Sequence, residues 1–234
     1  MRTIHLTSGA GNGVDKACLM TAANMLIGRG EDGSVCYCVC PVIQNFITAT
    51  NDAIGDYSEE LLGELYTPLI WEILGTKVDV ETERKRGYYF ADKAIRVFTS
   101  IALEECGMVE EANKLRSLSE LVDAETANAA CTAARTACTA DSATNRAAVD
   151  AVVHAIYAAV HADTDAYVHA ATYAAHAVYA TTDAAADAER VYRMLPDIIR
   201  GAIAIGDKRP VETVMTHDQL AGALAGSDER ISDA

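Results

Sequence analysis

Between Gly107 and Pro196 the chain contains neither glycine nor proline. Both usual helix breakers are missing there, so nothing local forces the backbone out of a helix. Aromatic residues are scarce, at 6% of the chain, and alanine supplies much of the apolar half of the composition. No run of eighteen apolar residues occurs, which argues against a membrane-spanning helix. The opening MRTIHLTSGAGNG has no apolar h-region, so a soluble, non-secreted, cytoplasmic protein is expected. Positive charge is also short: 19 Lys and Arg stand against 34 Asp and Glu, a formal net charge of −15. Phosphate backbones and anionic membrane surfaces repel such a chain, which argues against direct nucleic-acid or membrane binding. A DNA-mimicking inhibitor would be acidic too, and that class stays open. The seven cysteines are an odd number and fit a reducing compartment better than a disulfide framework.

Helical signals fill the rest of the sequence. Cys18, Ala22, Met25 and Leu26 recur at helical intervals, with Asp15 placed as an N-cap and Gly28 and Gly30 as a stop. Pro41 occupies a first helical position ahead of Val42, Ile43, Phe46, Ile47 and Ile54. A third helix begins near Ser58 and carries Leu61, Leu62, Leu65, Leu69, Ile73 and Leu74, with Pro68 expected to kink or split it. From Glu83 to Cys106, Phe90, Ala94, Ile95, Phe98, Ile101 and Ala102 repeat at three and four, and Gly107 reads as the C-cap. A short helix through Ala112, Leu115 and Leu118 follows.

Ala124 to Ala188 contains 27 alanines in 65 residues. One helix of that length would run roughly 98 Å, far beyond a compact domain. VVHAIYAAVHADTDA from Val152 is echoed by YVHAATYAAHAVYATTDA from Tyr167, and each copy ends in Thr-Asp-Ala, a natural capping sequence. Breaks are therefore expected near Asp141–Ser142, Asp163–Thr164 and Thr181–Thr182. The fold expected is all-α, a multi-helix bundle or helical array with an alanine-rich C-terminal half. Residues 1–82 form an N-terminal helical region, 83–206 the alanine-rich domain and 207–234 a tail. A βαβ reading with Thr3–Leu6 and Val35–Val39 as strands finds no alternating strands afterwards.

Two motifs near the N-terminus have bland readings. SGAGNG at 8–13 meets neither the Walker pattern nor GxGxxG and reads as a lead-in with an Asn–Gly turn. Cys36, Cys38 and Cys40 form CxCxC rather than the CxxC pairs of a zinc site, and read as small buried packing residues. Cys40, just before a helix start, is the one whose thiol such a position would activate.

Arg84, Lys85, Arg86, Lys93 and Arg96 make up the one basic cluster. Guanidinium groups grip phosphate or carboxylate in a fork, so Arg84, Arg86 and Arg96 are candidate ligands for an anion or an acidic partner. The alternative is a solvated face, with Asp92 and Arg96 paired at i,i+4.

Four of the six histidines, His154, His161, His169 and His176, fall within 23 residues. On one helix they would span only about 80°, with Tyr157, Asp150, Asp165, Tyr179 and Asp183 on or beside the same stripe. His154, Tyr157, His161, His169 and His176 are therefore candidate ligand-binding residues. His161, Asp165 and His169 form HxxxDxxxH, whose side chains could share a metal on a continuous helix. In the competing reading, His and Tyr fill gaps between closely packed alanine faces, their polar tips hydrogen-bonded. No cofactor is expected unless the stripe holds a divalent metal.

Three stretches carry a resemblance: ADKAIRVFTSIALEECGMVEEANKLRSLSELVDAETANAA, VVHAIYAAVHADTDAYVHAATYAAHAVYA and ERVYRMLPDIIR. From about Gly87 to Arg200 the chain resembles the alanine-rich, all-α immunity proteins linked to bacterial polymorphic-toxin systems. Actinobacterial and bacteriophage proteins are similar too, with counterparts of CLMTAANML and CVCPVIQNFITATND. His154 and His169, each followed by alanine, are the histidines that correspond. The resemblance implies stoichiometric neutralisation of a toxin or defence protein, which in a phage would be counter-defence. Sequestration of a small nucleotide-like anion, a metal-dependent hydrolase built on the His/Asp stripe, and a structural homo-oligomer are the other functions the sequence leaves open.

Overall fold

The computed structural model of the chain describes residues 6–9, 17–30, 35–139, 146–162 and 166–225, and all regular structure among them is helical. No described helix is long and apolar enough to cross a membrane. The chain forms two compact units, one from Met1–Val78 with Asp207–Ala234, the other from Asp79–Gly206.

In the first unit, α1 (Leu19–Leu26) is buried along its whole length. Its expected N-cap, Asp15, lies outside the described residues, and Cys18 occupies the N-cap of the described helix. Gly28, at φ +75°, ends it. The Gly28 amide donates to the Met25 carbonyl and the Arg29 amide to that of Asn24, the paired bonds of a Schellman motif. Pro41 opens α2 (Pro41–Tyr57), where a missing N–H costs no intrahelical bond. Ser58 caps α3 (Glu59–Tyr66) through the Leu61 amide, and the chain breaks at Pro68 before α4 (Leu69–Glu72), the split expected there. Leu26, Ile43, Phe46, Ile47, Leu62, Tyr66 and Ile70 are fully buried between these helices. Val35–Val39 is not a strand, while Thr3–His5 lie outside the described residues.

The segment after residue 206 returns to this unit. The Arg209 amide donates to the Gly75 carbonyl (2.8 Å), and the Val214 amide to that of Leu26 (2.8 Å). The Arg209 guanidinium donates to the Val78 carbonyl (2.6 Å), and His217 stacks on Trp71 with centroids 5.1 Å apart.

The second unit starts at Asp79, whose side chain accepts from the Thr82 amide (2.9 Å) and hydroxyl (2.8 Å). Those bonds hold its carboxyl below the usual range. They nucleate a rod made of α5 (Val80–Lys93), a π-helical turn Ala94–Thr99 and α6 (Ser100–Glu105). At its end the Gly107 amide donates to Glu104 and the Met108 amide to Leu103, a second Schellman closure with Gly107 at φ +80°. The helices α7 (Val109–Arg116) and α8 (Ala124–Thr139) follow, α8 started by Asp123 accepting from the Thr126 amide.

Then come α9 (Arg146–Ala162) and α10 (Tyr167–Ala184), packed side by side, with α8 against α9 and α5 against both. Two of the three expected breaks fall in or beside residues outside the description, at 140–145 and 163–165, with separate helices on either side. The third does not occur: α10 runs through Thr181–Thr182 to Ala184. Thr181 turns its hydroxyl back to the Ala177 carbonyl (2.7 Å) and across to that of Phe98 (3.0 Å), so a residue that would cap a new helix is used within one.

Alanine makes this packing close. Ala151, Ala155, Ala158, Ala159 and Ala162 on α9, and Ala170, Ala171, Ala174, Ala175 and Ala177 on α10, are almost fully buried. Gly87 does the same for α5, since a Cβ there would stand 3.2 Å from the Tyr167 carbonyl oxygen. Around the π turn, whose widened loop disturbs the regular bonding, Thr99 donates to the Ala151 carbonyl (3.2 Å) and Phe98 accepts from Thr181. The unit closes with α11 (Ala188–Tyr192) and α12 (Leu195–Ile203). Finally α13 (His217–Ala225), in the first unit, buries Leu220 and Ala221.

Candidate binding site on the α9–α10 hairpin

The four clustered histidines lie on two helices, not one. Across the seam His154 meets His176 (centroids 5.0 Å), Tyr157 meets Tyr173 (5.2 Å) and His161 meets His169 (6.0 Å). Each pair is centred on residue 165, which makes α9 and α10 antiparallel. Tyr173 is the hub. Its ring also stacks on His161 at 5.0 Å with 6° between planes, and touches His154 and His176. Such ring pairs contribute about 0.5–1.5 kcal/mol each beyond their buried area.

The seam is half-exposed. Beside it on α9, Val153, Tyr157 and Val160 stand at spacings of four and three with 37%, 48% and 43% of their surface open. The metal reading of His161, Asp165 and His169 required one continuous helix. His161 and His169 instead face each other across the hairpin, and Asp165 lies outside the described residues. Among the described residues, no three His, Cys, Asp or Glu side chains gather as a metal-holding group.

At the end of the seam holding the start of α9 and the close of α10, Asp150, His154, His176, Tyr179, Ala180 and Asp183 line a cleft of about 330 Å³. Burial pushes both imidazole pKa values below the ordinary histidine range. For His154 the neighbouring His176 adds to that, and Asp150 opposes it. His154 Nδ1 is buried without a hydrogen-bond partner, as suits a neutral ring. Two carboxylates and two neutral imidazoles make this cleft rich in acceptors.

Comparison with protein-family models, with curated proteins and with solved structures finds no match.

The basic cluster does not act as one grip. Arg86 is fully buried, with Nε donating to the Ala202 carbonyl (3.0 Å) and Nη2 to that of Ile205 (2.7 Å). Its fork closes the C-terminal end of α12, where carbonyls lack intrahelical donors. This corrects its assignment to an anion-binding face: an interior guanidinium occupied by carbonyls does not receive a ligand. Arg96 pairs with the buried carboxylate of Asp92 (3.0 Å) and reaches Glu120 (4.0 Å), while Arg84 remains half-exposed on α5. The cysteine motif is interior as well. The Cys36 thiol, 3.5 Å from that of Cys38, is pushed up to about 12 by burial, with Cys38 reinforcing the shift, and Cys40 is fully buried.

The depressed histidine pKa values set a pH dependence. The unfolded chain binds protons at these sites below about pH 6.5, where the folded chain resists them, so stability rises with pH through that window. The melting temperature is expected to be flat from pH 8 to 7 and to fall from pH 7 to 5, a slope that His154→Gln/His176→Gln flattens. An unchanged slope in the double variant would place the acid sensitivity elsewhere. The carboxyls of Asp79 and Asp123, held low by their caps, lose their contribution only in more acidic solution.

Proposed function

We propose that the Asp79–Gly206 unit is a non-catalytic binding module that neutralises a basic protein partner, a toxin or a defence protein. The partner's arginine or lysine side chains would be received along the His/Tyr seam. The acceptor-lined cleft of Asp150, His154, His176, Tyr179 and Asp183 carries this reading. Carboxylates and neutral imidazoles accept from guanidinium forks, and charge-assisted bonds of that kind are the strong ones.

The surroundings support it. From Ala147 to Glu189 the chain has no lysine or arginine, so this stretch adds no positive charge to repel a cationic surface. Exposed Val153, Tyr157 and Val160 add apolar and aromatic area of the type that anchors interfaces. The net charge of −15 would steer a basic partner and speed its association. The resemblance to immunity proteins points the same way.

Native mass spectrometry of protein isolated from its own cells, without added metal or chelator, tests this. The expected result is a stoichiometric complex with a basic protein, lost in the Asp150→Asn/Asp183→Asn variant while its melting temperature is kept. A metal or small-molecule adduct that disappears when the four histidines become alanine would overturn it in favour of a ligand or metal centre. A bare homo-oligomer would overturn it in favour of a structural role.

A further inference from the structure

Outside the seam, one concave site in the second unit combines apolar walls with cations. Lys85, Tyr88, Tyr89, Asp92 and Lys93 recur along one side of α5 at helical spacing. They face Glu120, Leu121 and Val122 from the α7–α8 connection, and Ile205 beyond α12, around a pocket of about 380 Å³. That volume falls within the range of small-ligand sites, roughly 300–1,000 Å³.

The site is built rather than incidental. Asp92, only 3% exposed, fixes it from below. Its carboxylate accepts from the Leu121 amide (3.2 Å), Lys93 Nζ (3.0 Å) and the Arg96 guanidinium (3.0 Å). One buried carboxylate thus ties the connecting loop to α5 and pins the Lys93 ammonium beside the pocket. Lys93 Nζ lies 4.7 Å from the centre of the Tyr89 ring, which sets its ammonium over an aromatic wall. Lys85, more than half exposed, stands at the rim, 3.7 Å from the exposed carboxylate of Glu81. Glu120 at the mouth is offset by Arg96 at 4.0 Å.

We infer that this pocket binds a small aromatic monoanion, a planar ring carrying one carboxylate, sulfonate or phosphate. The ring would pack on Tyr88, Tyr89, Leu121 and Val122, and the anion would meet the Lys93 and Lys85 ammonium groups. The inference is independent of the protein-partner reading, because the two sites share no residue.

Three naphthalene probes with the full-length protein test it: 1-naphthalenesulfonate, 1-naphthol and 1-naphthylmethylammonium, followed by calorimetric titration. Saturable binding of one sulfonate is expected, with the neutral probe at least tenfold weaker and the cation weaker still. Lys93→Gln should weaken the sulfonate about tenfold, the loss of one charge-assisted contact. Val122→Trp, at a position already 62% exposed, should fill the mouth and abolish binding without lowering the melting temperature. His154→Gln/His176→Gln should leave the affinity unchanged. Absence of saturable binding, equal or tighter binding of the cation, or an affinity unmoved by both pocket variants would overturn the inference.

Discussion

Arg86→Met is expected to lower the stability of the second unit by about 3 kcal/mol, enough to lower its melting temperature by roughly 10 °C. Methionine keeps most of the aliphatic stem, so the core around Phe90 and Ala94 stays filled. What disappears is a pair of donors. The carbonyls of Ala202 and Ile205 would lose the Nε and Nη2 bonds at 3.0 and 2.7 Å, the first in the interior and the second partly buried. Removing a donor from a buried acceptor costs about 1–3 kcal/mol, and two carbonyls are affected, that of Ala202 keeping the long bond from the Ile205 amide (3.3 Å). Arg86→Lys should fall between the two, because a single ammonium cannot reproduce a planar fork serving two carbonyls. Thermal unfolding followed by circular dichroism decides the matter. A methionine variant melting within a degree or two of the wild type would show that these bonds add little to the fold.

Gly75→Ala should damage the first unit. Gly75 adopts φ +76°, where a side chain costs about 1–2 kcal/mol on backbone grounds alone. A Cβ there would also lie 2.0 Å from the Arg209 carbonyl oxygen, and backbone on the opposing side cannot rotate away. The returning segment must move, which breaks the bond from the Arg209 amide to the Gly75 carbonyl and disturbs the one from the Arg209 side chain to Val78. Trypsin cleavage after Lys208 under native conditions is expected to accelerate at least tenfold, Arg209 being protected by the proline that follows it. Wild-type cleavage rates in the alanine variant would mean that the segment is held by its other contacts, through Val214 and His217.

The all-α class and the Pro68 split were legible because they depend on short-range chemistry: helix breakers, caps and three-four spacing. Thr181–Thr182 misled because a threonine hydroxyl serves a cap or an interior back-bond equally well, and the carbonyl of Phe98 that decides between them is distant in sequence. Arg86 was missed for a related reason. Its charge suggested surface, yet it lies four residues before Phe90 and eight before Ala94, on the face that both bury. Position on the helix was the better signal there.

In the seam, the histidines were legible and Tyr173 was not. Viewed along one helix, Tyr173 is one more residue of a stripe. Only with α10 packed antiparallel on α9 does it become the ring that His154, Tyr157, His161 and His176 all touch. The pocket over Asp92 was invisible for the same reason. Lys85 and Lys93 belonged to the basic cluster, but the apolar wall opposite them comes from Leu121, Val122 and Ile205, which no local spacing connects to α5.

The first unit is made of two stretches separated in the chain by the whole of the second. During synthesis residues up to Val78 emerge well before Arg209, Val214 and His217, on which Gly75, Leu26 and Trp71 close. At ordinary translation speeds the delay is on the order of ten seconds, long compared with the folding of a helical unit. The earlier-made stretch must therefore wait for the whole alanine-rich unit to be synthesised before its own core can close.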